Sequence, residues 1–292
     1  MSTTSKTIAV FGGNGFLGRK ICEIGIKRGY EVTSYSRSGK PPQAILPNQD
    51  QNSNQNQPDW VSKVNWSKVD IFQPQEIKSQ LGQFNTIVHS IGMLFEDISY
   101  KKAANSASSL SNFGDITRFI NSIMGSNPMQ KDKKNMSYEA VQRDSALSIA
   151  EEYIQARKDT IPRSNAEDEP IGNYVYISAD KAPPIIPERY IKTKREAEFE
   201  LSKKLYLRSI LMRPGAMYDE THNLGTTKRD VILKSLKIGV DLKNSLLGQN
   251  FLSNLVRPVV STTQVAEALY DKLEDPGFSG VVPVEFIEKE PK

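Results

Sequence analysis

Apolar residues near the start of the chain form a short unbroken run that predicts a strand buried on both faces. Residues 8–11 are all apolar, with no polar alternation, as in a strand of a parallel sheet. Glycines follow at once, and then Leu17, Ile21 and Ile24 recur at helical spacing. The pattern predicts a strand, a glycine turn and a helix, in that order.

Similar apolar runs recur along the chain, and stretches with helical spacing lie between them. This alternation is typical of an α/β fold with a doubly wound, mostly parallel Rossmann-like sheet. We interpret residues 1–292 as one domain, in which residues 214–256 and 276–292 contribute a small C-terminal substrate lobe. The further predicted strands are 31–36, 64–69, 86–90, 174–179 and an edge strand at 281–284, and the later helices are 138–150 and 265–273.

Three polar stretches interrupt this pattern. Residues 41–58 are rich in Asn, Gln and Pro, which predicts a disordered surface insertion. Residues 95–134 are long for a connection and form either a lid or a partner-binding loop. Residues 228–240 predict a basic amphipathic helix, for which packing on its own domain is favoured over contact with anionic lipid.

The glycine turn has the residues that the pyrophosphate of a dinucleotide requires. Gly13 is expected to permit the tight turn, Gly15 to let backbone N–H groups approach the phosphates, and Gly18 to let helix and strand pack closely. The alternative is a glycine-rich turn without a ligand. The candidate cofactor-binding residues of this turn are Gly12, Gly13, Asn14, Gly15, Phe16, Leu17 and Gly18.

The ends of the next strands give further candidates for cofactor binding. Ser36 and Arg37 stand where an NAD-preferring fold has an acidic residue, and a hydroxyl with a guanidinium favours the 2′-phosphate of NADP(H). A solvated surface arginine is the alternative. Asp70 either accepts a hydrogen bond from the adenine amino group or caps the helix that starts near Pro74. Ser90 ends the fourth predicted strand, whose carboxyl end is expected beside the cofactor.

Composition excludes several classes of function. The net charge of +4 over 292 residues is too small and too dispersed to indicate nucleic-acid binding, although it suits an anionic cofactor or membrane surface. Cys22 is the only cysteine, so no internal disulfide forms and a reducing compartment is expected. His89 and His222 are too far apart in sequence to suggest a metal site. No apolar run approaches the roughly 20 residues of a membrane span. Because the first predicted strand begins about seven residues in, we expect no removable presequence.

Three later residues predict acid–base chemistry. Tyr190 and Lys194 are four positions apart, so both lie on one face of the predicted helix. A nearby ammonium stabilises the phenolate, which is expected to lower the pKa of Tyr190 toward neutrality. Ser178, at the end of the fifth strand, would then orient a substrate carbonyl beside the phenol. An exposed Tyr–Lys pair without a catalytic role is the alternative.

These motifs together resemble the short-chain dehydrogenase/reductase superfamily, in its atypical and extended branches. Gly12, Gly15 and Gly18 match its glycine pattern, and the strand-end serine and the Tyr–Lys pair match its catalytic residues. The resemblance includes a later Arg-Pro-Gly motif and implies that Arg213 and Pro214, with Tyr190 and Lys194, contact the cofactor.

A closer similarity links the chain to the fungal coenzyme Q biosynthesis accessory proteins, which are akin to the NADPH-binding 39 kDa subunit of complex I. The matching segments are 10–18, 176–181, 213–220 and 257–262. The resemblance implies a mitochondrial protein on the matrix side of the inner membrane, peripheral to it. It also implies proteins of the ubiquinone biosynthetic complex as partners and a quinone or quinone precursor as ligand.

One departure from the superfamily pattern puts its proton relay in question. Many active members have an asparagine where this chain has Gln142 or Arg143. The leading prediction is an NADP(H)-binding oxidoreductase-like protein that acts in, or supports, ubiquinone biosynthesis. The alternative is a non-catalytic, nucleotide-stabilised assembly subunit, and a cytosolic sugar-nucleotide epimerase-like activity comes third.

Overall fold

The computed structural model describes residues 6–42, 58–93, 137–160, 171–181, 187–219 and 258–289. The strands are β1 Thr7–Phe11, β2 Glu31–Ser36, β3 Asn65–Lys68, β4 Thr86–His89, β5 Gly172–Ile177, β6 Leu207–Met212, β7 Ala216–Tyr218, β8 Val259–Ser261 and β9 Gly280–Val282. The helices are α1 Gly18–Lys27, α2 Asp59–Lys63, α3 Lys78–Leu81, α4 Ser145–Thr160, α5 Glu188–Ser202, α6 Thr262–Glu274 and α7 Val284–Ile287. A 3₁₀ helix at Pro74–Ile77 precedes α3, and a π-helical turn at Glu139–Asp144 precedes α4.

A parallel sheet of seven strands organises the described residues, in the order β3-β2-β1-β4-β5-β6-β9. β1 pairs with β2 on one side and with β4 on the other, so the chain crosses over between β3 and β4. In this register Phe11 lies between Tyr35 and His89. The carboxyl ends of β1 and β4 therefore form the topological switch point, where open α/β sheets bind ligands.

Alternate residues of the strands supply two hydrophobic cores, one on each face of the sheet. Ile8 and Val10 belong to the core shared with α1 and α6. Ala9 and Phe11 belong to the core shared with α3, α4 and α5. Both faces are covered by helices, which explains why β1 has no polar alternation. The predicted Rossmann-like α/β fold is confirmed.

Most predicted elements are present, and the deviations have local causes. The helix predicted at 138–150 is the π-helical turn followed by α4, which extends to Thr160. The helix predicted at 265–273 begins earlier, because Ser261 and Gln264 form a capping box at its start. Pro283 ends β9 and is the N-cap of α7, so the last strand is shorter than predicted.

The expected C-terminal lobe needs one correction. Residues 276–292 were assigned to it, but β9 pairs with β6 and completes the main sheet. β7 and β8 form a separate two-stranded parallel sheet. The rest of the expected lobe, with the predicted basic helix 228–240, lies outside the described residues, as do most of 41–58 and all of 95–134. Within the described part of the chain, no helix is long and apolar enough to cross a membrane.

Candidate functional site

The glycine turn is held at the carboxyl end of β1 by steric constraints. The left-handed residue is Gly12, with φ +85°, and the expectation that Gly13 makes the tight turn is therefore wrong. Gly13 is needed for space, because a Cβ there would lie 2.4 Å from Ser34 Oγ on β2. A Cβ on Gly18 would lie 2.1 Å from Gly12 O, so α1 approaches the turn as closely as its backbone permits.

The turn leaves the start of α1 open toward the switch point. Gly15 is exposed, and its N–H closes the turn by donating to Gly12 O at 2.9 Å. N–H groups at a helix start that have no intrahelical partner form an anion site. In this helix the Arg19 and Lys20 N–H groups donate to the main-chain oxygens of Gly15 and Leu17, and Leu17, the N-cap residue of α1, contributes no side-chain cap.

The residues after β2 form a polar turn next to the glycine turn. The Ser36 hydroxyl accepts a hydrogen bond from the Gly39 N–H at 3.1 Å, and Asn14 Nδ2 donates to Ser38 Oγ at 3.2 Å. Arg37 is exposed, and among the described residues it has no ion-pair partner. Its guanidinium is therefore available to an anion at this edge of the sheet.

Two other predicted cofactor residues also lie at this end of the sheet. Asp70 is exposed, and its carboxylate accepts a hydrogen bond from the Phe72 N–H at 3.0 Å. The alternative role as a helix cap is wrong, because Gln73 is the N-cap of the 3₁₀ helix. Ser90 places its carbonyl oxygen against Gly12, where a Cβ would lie 3.0 Å from it. Gly12 thus permits β4 to end directly beside the glycine turn.

Tyr190, Lys194 and Ser178 are brought together because α5 packs against the end of β5. Lys194 Nζ donates to Ile177 O at 2.9 Å and lies 5.7 Å from the centre of the Tyr190 ring. Ser178, the next residue after Ile177, is 3% exposed, as is Lys194, and Tyr190 is 8% exposed. The three predicted catalytic residues therefore occupy one buried region.

The electrostatics of this region differ from the expectation. Burial lowers the pKa of Lys194 to about 7, partly opposed by Glu198. Burial raises the pKa of Tyr190, and the neighbouring Tyr138 adds to the effect. The expected lowering of the Tyr190 pKa by an ammonium is wrong, because desolvation by burial outweighs the attraction of the nearby Arg195 guanidinium.

An ion-pair network that the sequence analysis missed supports Ser178. Arg195 Nη1 donates to Ser178 Oγ at 3.0 Å and to Glu198 Oε1 at 2.7 Å. The other nitrogen, Nη2, donates to the carbonyl oxygens of residues 179 and 180. The three-residue spacing of Arg195 and Glu198 on α5 is the sequence feature from which this ion pair could have been predicted.

The predicted cofactor residue Arg213 also donates to Glu198, and this ion pair explains its position without a cofactor contact. Pro214 is buried, and its carbonyl accepts the N–H of Asp180.

The π-helical turn decides which residue takes the place of the asparagine. Gln142 is fully buried, whereas Arg143 points outward and pairs with Asp144 and Glu196. The Tyr176 hydroxyl donates to the main-chain carbonyl of Gln142 at 2.8 Å. Gln142, and not Arg143, is therefore the inward-facing residue.

His89, at the end of β4, is a buried packing residue. Its Nε2 lies 3.0 Å from Ser145 Oγ, and Ser145 donates its own proton to Val141 O at 2.8 Å. Nε2 must therefore carry the imidazole proton. Burial lowers the pKa of His89 to about 3, so the ring is neutral. No cluster of three metal-ligating side chains occurs among the described residues.

Comparisons with known proteins agree with this architecture. No protein-family model matches the sequence. Solved structures with the same fold include the serine dehydrogenase of Escherichia coli, with a TM-score of 0.52 at 12% identity, covering 95% of this chain and 96% of that one. ElxO with NADP bound has a TM-score of 0.52 at 13% identity, covering 98% of this chain and 100% of that one. The UDP-glucuronic acid 4-epimerase of Bacillus cereus, in complex with NAD, has a TM-score of 0.53 at 12% identity, covering 95% of this chain and 76% of that one.

Two curated relatives extend the comparison to sequence. An uncharacterized chloroplastic protein of Arabidopsis thaliana is 24% identical, over 98% of this chain and 77% of its own length. MIOREX complex component 2 of Saccharomyces cerevisiae is 37% identical over 288 residues, which are 97% of this chain and 98% of the yeast protein. At that identity over almost the whole of both chains, this chain belongs to the family of MIOREX complex component 2.

Proposed function

We propose that the protein is an NADP(H)-binding oxidoreductase-like protein that acts in, or supports, ubiquinone biosynthesis. The observation that carries the proposal is the uncapped start of α1 behind Gly12, at the switch point of the sheet. Such a helix start binds a pyrophosphate. Structures with the same fold have NAD or NADP bound, which supports a nicotinamide dinucleotide here.

The residues at the switch point fit such a cofactor. Gly15 is exposed beside the start of α1, so no side chain stands where the phosphates approach. Arg37 is exposed and without an ion-pair partner in the described residues, which favours a 2′-phosphate and hence NADP(H). Asp70 retains a carboxylate oxygen for the adenine amino group.

The catalytic proposal concerns the reduction of a carbonyl. A bound nicotinamide would supply the hydride to the carbonyl carbon, and Tyr190 would give a proton to the carbonyl oxygen. Burial raises the pKa of Tyr190, so the phenol carries its proton at neutral pH, although general acid catalysis favours a pKa closer to neutrality. Ser178 accepts from Arg195, so its own proton is left to hold the carbonyl oxygen. Lys194 would hold the ribose.

A second candidate function is a nucleotide-stabilised assembly subunit without catalysis. Lys194 donates to Ile177 O, and burial raises the pKa of Tyr190 away from neutrality, which favours this alternative. The yeast relative is named as a component of a complex, which suits protein partners. Bound nucleotide would then add RT ln(1 + [L]/Kd) to the stability of the fold.

The place of action is proposed from the motif resemblance. We place the protein in the mitochondrion, peripheral to the matrix side of the inner membrane, with proteins of the ubiquinone biosynthetic complex and a quinone or quinone precursor as ligand. The kinship with the 39 kDa subunit of complex I stays a prediction. If this placement holds, alkaline carbonate releases the protein from mitochondrial membranes; resistance to extraction would contradict it.

The two candidate functions separate in one experiment with two variants. Gly15→Asp puts bulk and negative charge at the pyrophosphate, so NADPH binding measured by calorimetry should be lost. Gly277→Asp is the matched control, because Gly277 is exposed, does not have a left-handed backbone, and a Cβ there would lie 3.6 Å from Asp275 Oδ1. Tyr190→Phe keeps the ring and removes the proton donor. General acid–base catalysis contributes ~10²–10⁴-fold to the rate of a reaction, so an enzyme should lose activity by about that factor.

The readout is the ubiquinone content of cells that carry each variant at normal protein level. An enzyme fails with Gly15→Asp and with Tyr190→Phe. An assembly subunit tolerates Tyr190→Phe and fails with Gly15→Asp. Full ubiquinone synthesis with both variants would refute a nucleotide-dependent role altogether.

A further inference from the structure

The side-chain amide of Gln142 is a buried polar group. Gln142 is 0% exposed, and among the residues that the structure describes neither its Nε2 nor its Oε1 has a hydrogen-bond partner. Buried polar groups in folded proteins are almost always paired, because an unpaired one loses its hydration without compensation. Such a group in a native protein calls for an explanation.

The side chain is not needed to hold its own helix in place. The contact that fixes the π-helical turn to the sheet is made by the main chain, through the Tyr176 hydroxyl and Gln142 O. Arg143 and Glu196 join the same turn to α5 on the outside. An apolar side chain would fill the position without an unpaired amide, so the fold alone does not account for glutamine.

The amide borders the part of the site that faces the switch point. Gly92, three residues after β4, is exposed, and a Cβ there would lie 3.5 Å from Gln142 Oε1 and 3.6 Å from Lys194 Nζ. The absent side chain of Gly92 therefore leaves space beside both groups. To the described residues Lys194 Nζ makes one hydrogen bond, with Ile177 O, and an amine nitrogen has capacity for more.

We infer that Gln142 is a ligand-binding residue whose side-chain amide, together with the Lys194 amine, binds the two hydroxyl groups of the ribose next to the nicotinamide. The inference rests on the proposed nucleotide-binding function. A hydroxyl both donates and accepts, and the amide offers a donor and an acceptor on one rigid group. Two adjacent hydroxyls thus match an amide beside an amine, whereas an asparagine would be one methylene shorter.

The inference predicts opposite effects of one substitution on stability and on binding. Gln142→Leu removes the unpaired amide, so the melting temperature of the ligand-free protein should rise by about 2–4 °C. NADPH affinity, measured by calorimetry, should fall roughly three- to tenfold because the ribose loses a partner. Gln142→Met, which keeps the length of the side chain, should behave in the same way.

Gln264 is the matched control, because it is a buried glutamine whose amide is fully paired. Its Oε1 accepts from the Ser261 N–H and its Nε2 donates to Glu288 O, each at 2.9 Å. Gln264→Leu should lower the melting temperature and leave NADPH affinity unchanged. Adenosine 2′,5′-bisphosphate, which lacks the nicotinamide ribose, should bind wild type and Gln142→Leu equally well.

The outcomes separate this inference from the function on which it rests. If wild type binds NADPH and Gln142→Leu binds it as tightly, the inference is overturned and the proposed function stands. If Gln142→Leu weakened the binding of NADPH and of adenosine 2′,5′-bisphosphate equally, the inference would also be overturned, since the nicotinamide ribose would then not be the partner of Gln142. Failure of both Gln142 variants to fold would assign the amide a structural role. Absence of NADPH binding by wild type overturns the proposed function and the inference together.

Discussion

The two ends of the candidate cofactor site are built in different ways. At the glycine turn, residues 12–18, the backbone is fixed by close steric contact, and the turn is closed by its own hydrogen bond. Around Tyr190, Lys194 and Gln142, the Gln142 amide is buried without a hydrogen bond to any described residue, and burial shifts the pKa values of Tyr190 and Lys194.

The difference shows where the fold gains stability and where it gives stability up. The glycine turn contributes to the fold whether or not a ligand is present, because its constraints are steric. The Tyr190 region carries burial that is unfavourable for the Gln142 amide and for a charged Lys194, and perturbed groups of this kind cluster at functional sites. Substitutions should therefore destabilise at the first end and alter binding or pH dependence at the second.

The largest effect is expected at the glycine turn. Gly18→Ala would place a Cβ 2.1 Å from Gly12 O. Because the atom that it meets belongs to the backbone, either the glycine turn or the start of α1 would have to move. We expect a loss of ~3 kcal/mol or more in the free energy of unfolding, measured with urea. Gly277→Ala is the control, since a Cβ there meets only Asp275 at 3.6 Å. Equal stability of the two variants would show that the turn is not sterically fixed.

The next effect concerns the pH dependence of stability at the other end. His89 remains neutral in the fold down to about pH 3, whereas in the unfolded chain it binds a proton near pH 6.5. The unfolded state therefore binds more protons between these values, and stability falls as the pH drops through the window. From pH 6.5 to 5 wild type should lose roughly 2 kcal/mol on this account, at up to about 1.4 kcal/mol per pH unit.

His89→Gln tests this assignment. The Gln Nε2 can donate to Ser145 as the imidazole Nε2 does, but the side chain does not titrate. Urea unfolding at several pH values above 5 should give a flatter profile for the variant. The carboxylates of lowered pKa, such as Glu23, titrate below this range, and Lys194, whose pKa is about 7, titrates in wild type and variant alike, so the difference between the two profiles reports His89. A wild-type slope in the variant would mean that another group is responsible.

The contrast between the glycine turn and the Tyr190 region also explains which features could be predicted from the sequence. The apolar run at residues 8–11 and the spacing of Gly12, Gly15 and Gly18 follow local rules of strand burial and turn geometry. Only the assignment of the left-handed residue, Gly12 instead of Gly13, needed the structure. Local patterns sufficed because each constraint acts between neighbours in sequence or on adjacent strands.

At the Tyr190 end, the helical spacing predicted that Tyr190 and Lys194 share a face, but not their electrostatics. The raised pKa of Tyr190 depends on how deeply α5 is packed, which is a tertiary property. The inward position of Gln142 depends on the π-helical turn, which shifts the helical register within a pattern that otherwise reads as ordinary helix. Neither the pKa of Tyr190 nor the inward position of Gln142 can therefore be predicted from sequence periodicity.

A smaller effect tests the anion site beside the glycine turn. Arg37→Ala removes an exposed side chain, so stability should change little, but a charge-assisted contact to a 2′-phosphate is worth about 1.5–3 kcal/mol. NADPH affinity should fall roughly tenfold or more while NADH affinity is unchanged. Lys63→Ala, an exposed lysine at the end of α2, is the control for the loss of charge. Equal loss for both nucleotides, measured by calorimetry, would remove Arg37 from the phosphate site.

The smallest effect separates packing from function within a single strand. Tyr174 and Tyr176 are both fully buried on the same face of β5, and each donates its hydroxyl proton to a helix carbonyl. Tyr174 bonds to Ala146 O at 2.7 Å, and Tyr176 bonds to Gln142 O at 2.8 Å. Replacing either by phenylalanine removes one hydrogen bond, so each should cost about 1 kcal/mol of stability.

Only one of these two bonds holds the turn that carries Gln142, so the two variants should differ in binding although they match in stability. Tyr176→Phe frees the π-helical turn beside the candidate ribose site, and NADPH affinity should fall about two- to fivefold, by less than a kcal/mol. Tyr174→Phe acts one helical turn further along α4 and should leave affinity unchanged. Equal affinities for the two variants would mean that the turn keeps its place without the Tyr176 hydroxyl. The buried amide of Gln142 would then be positioned by helix packing alone.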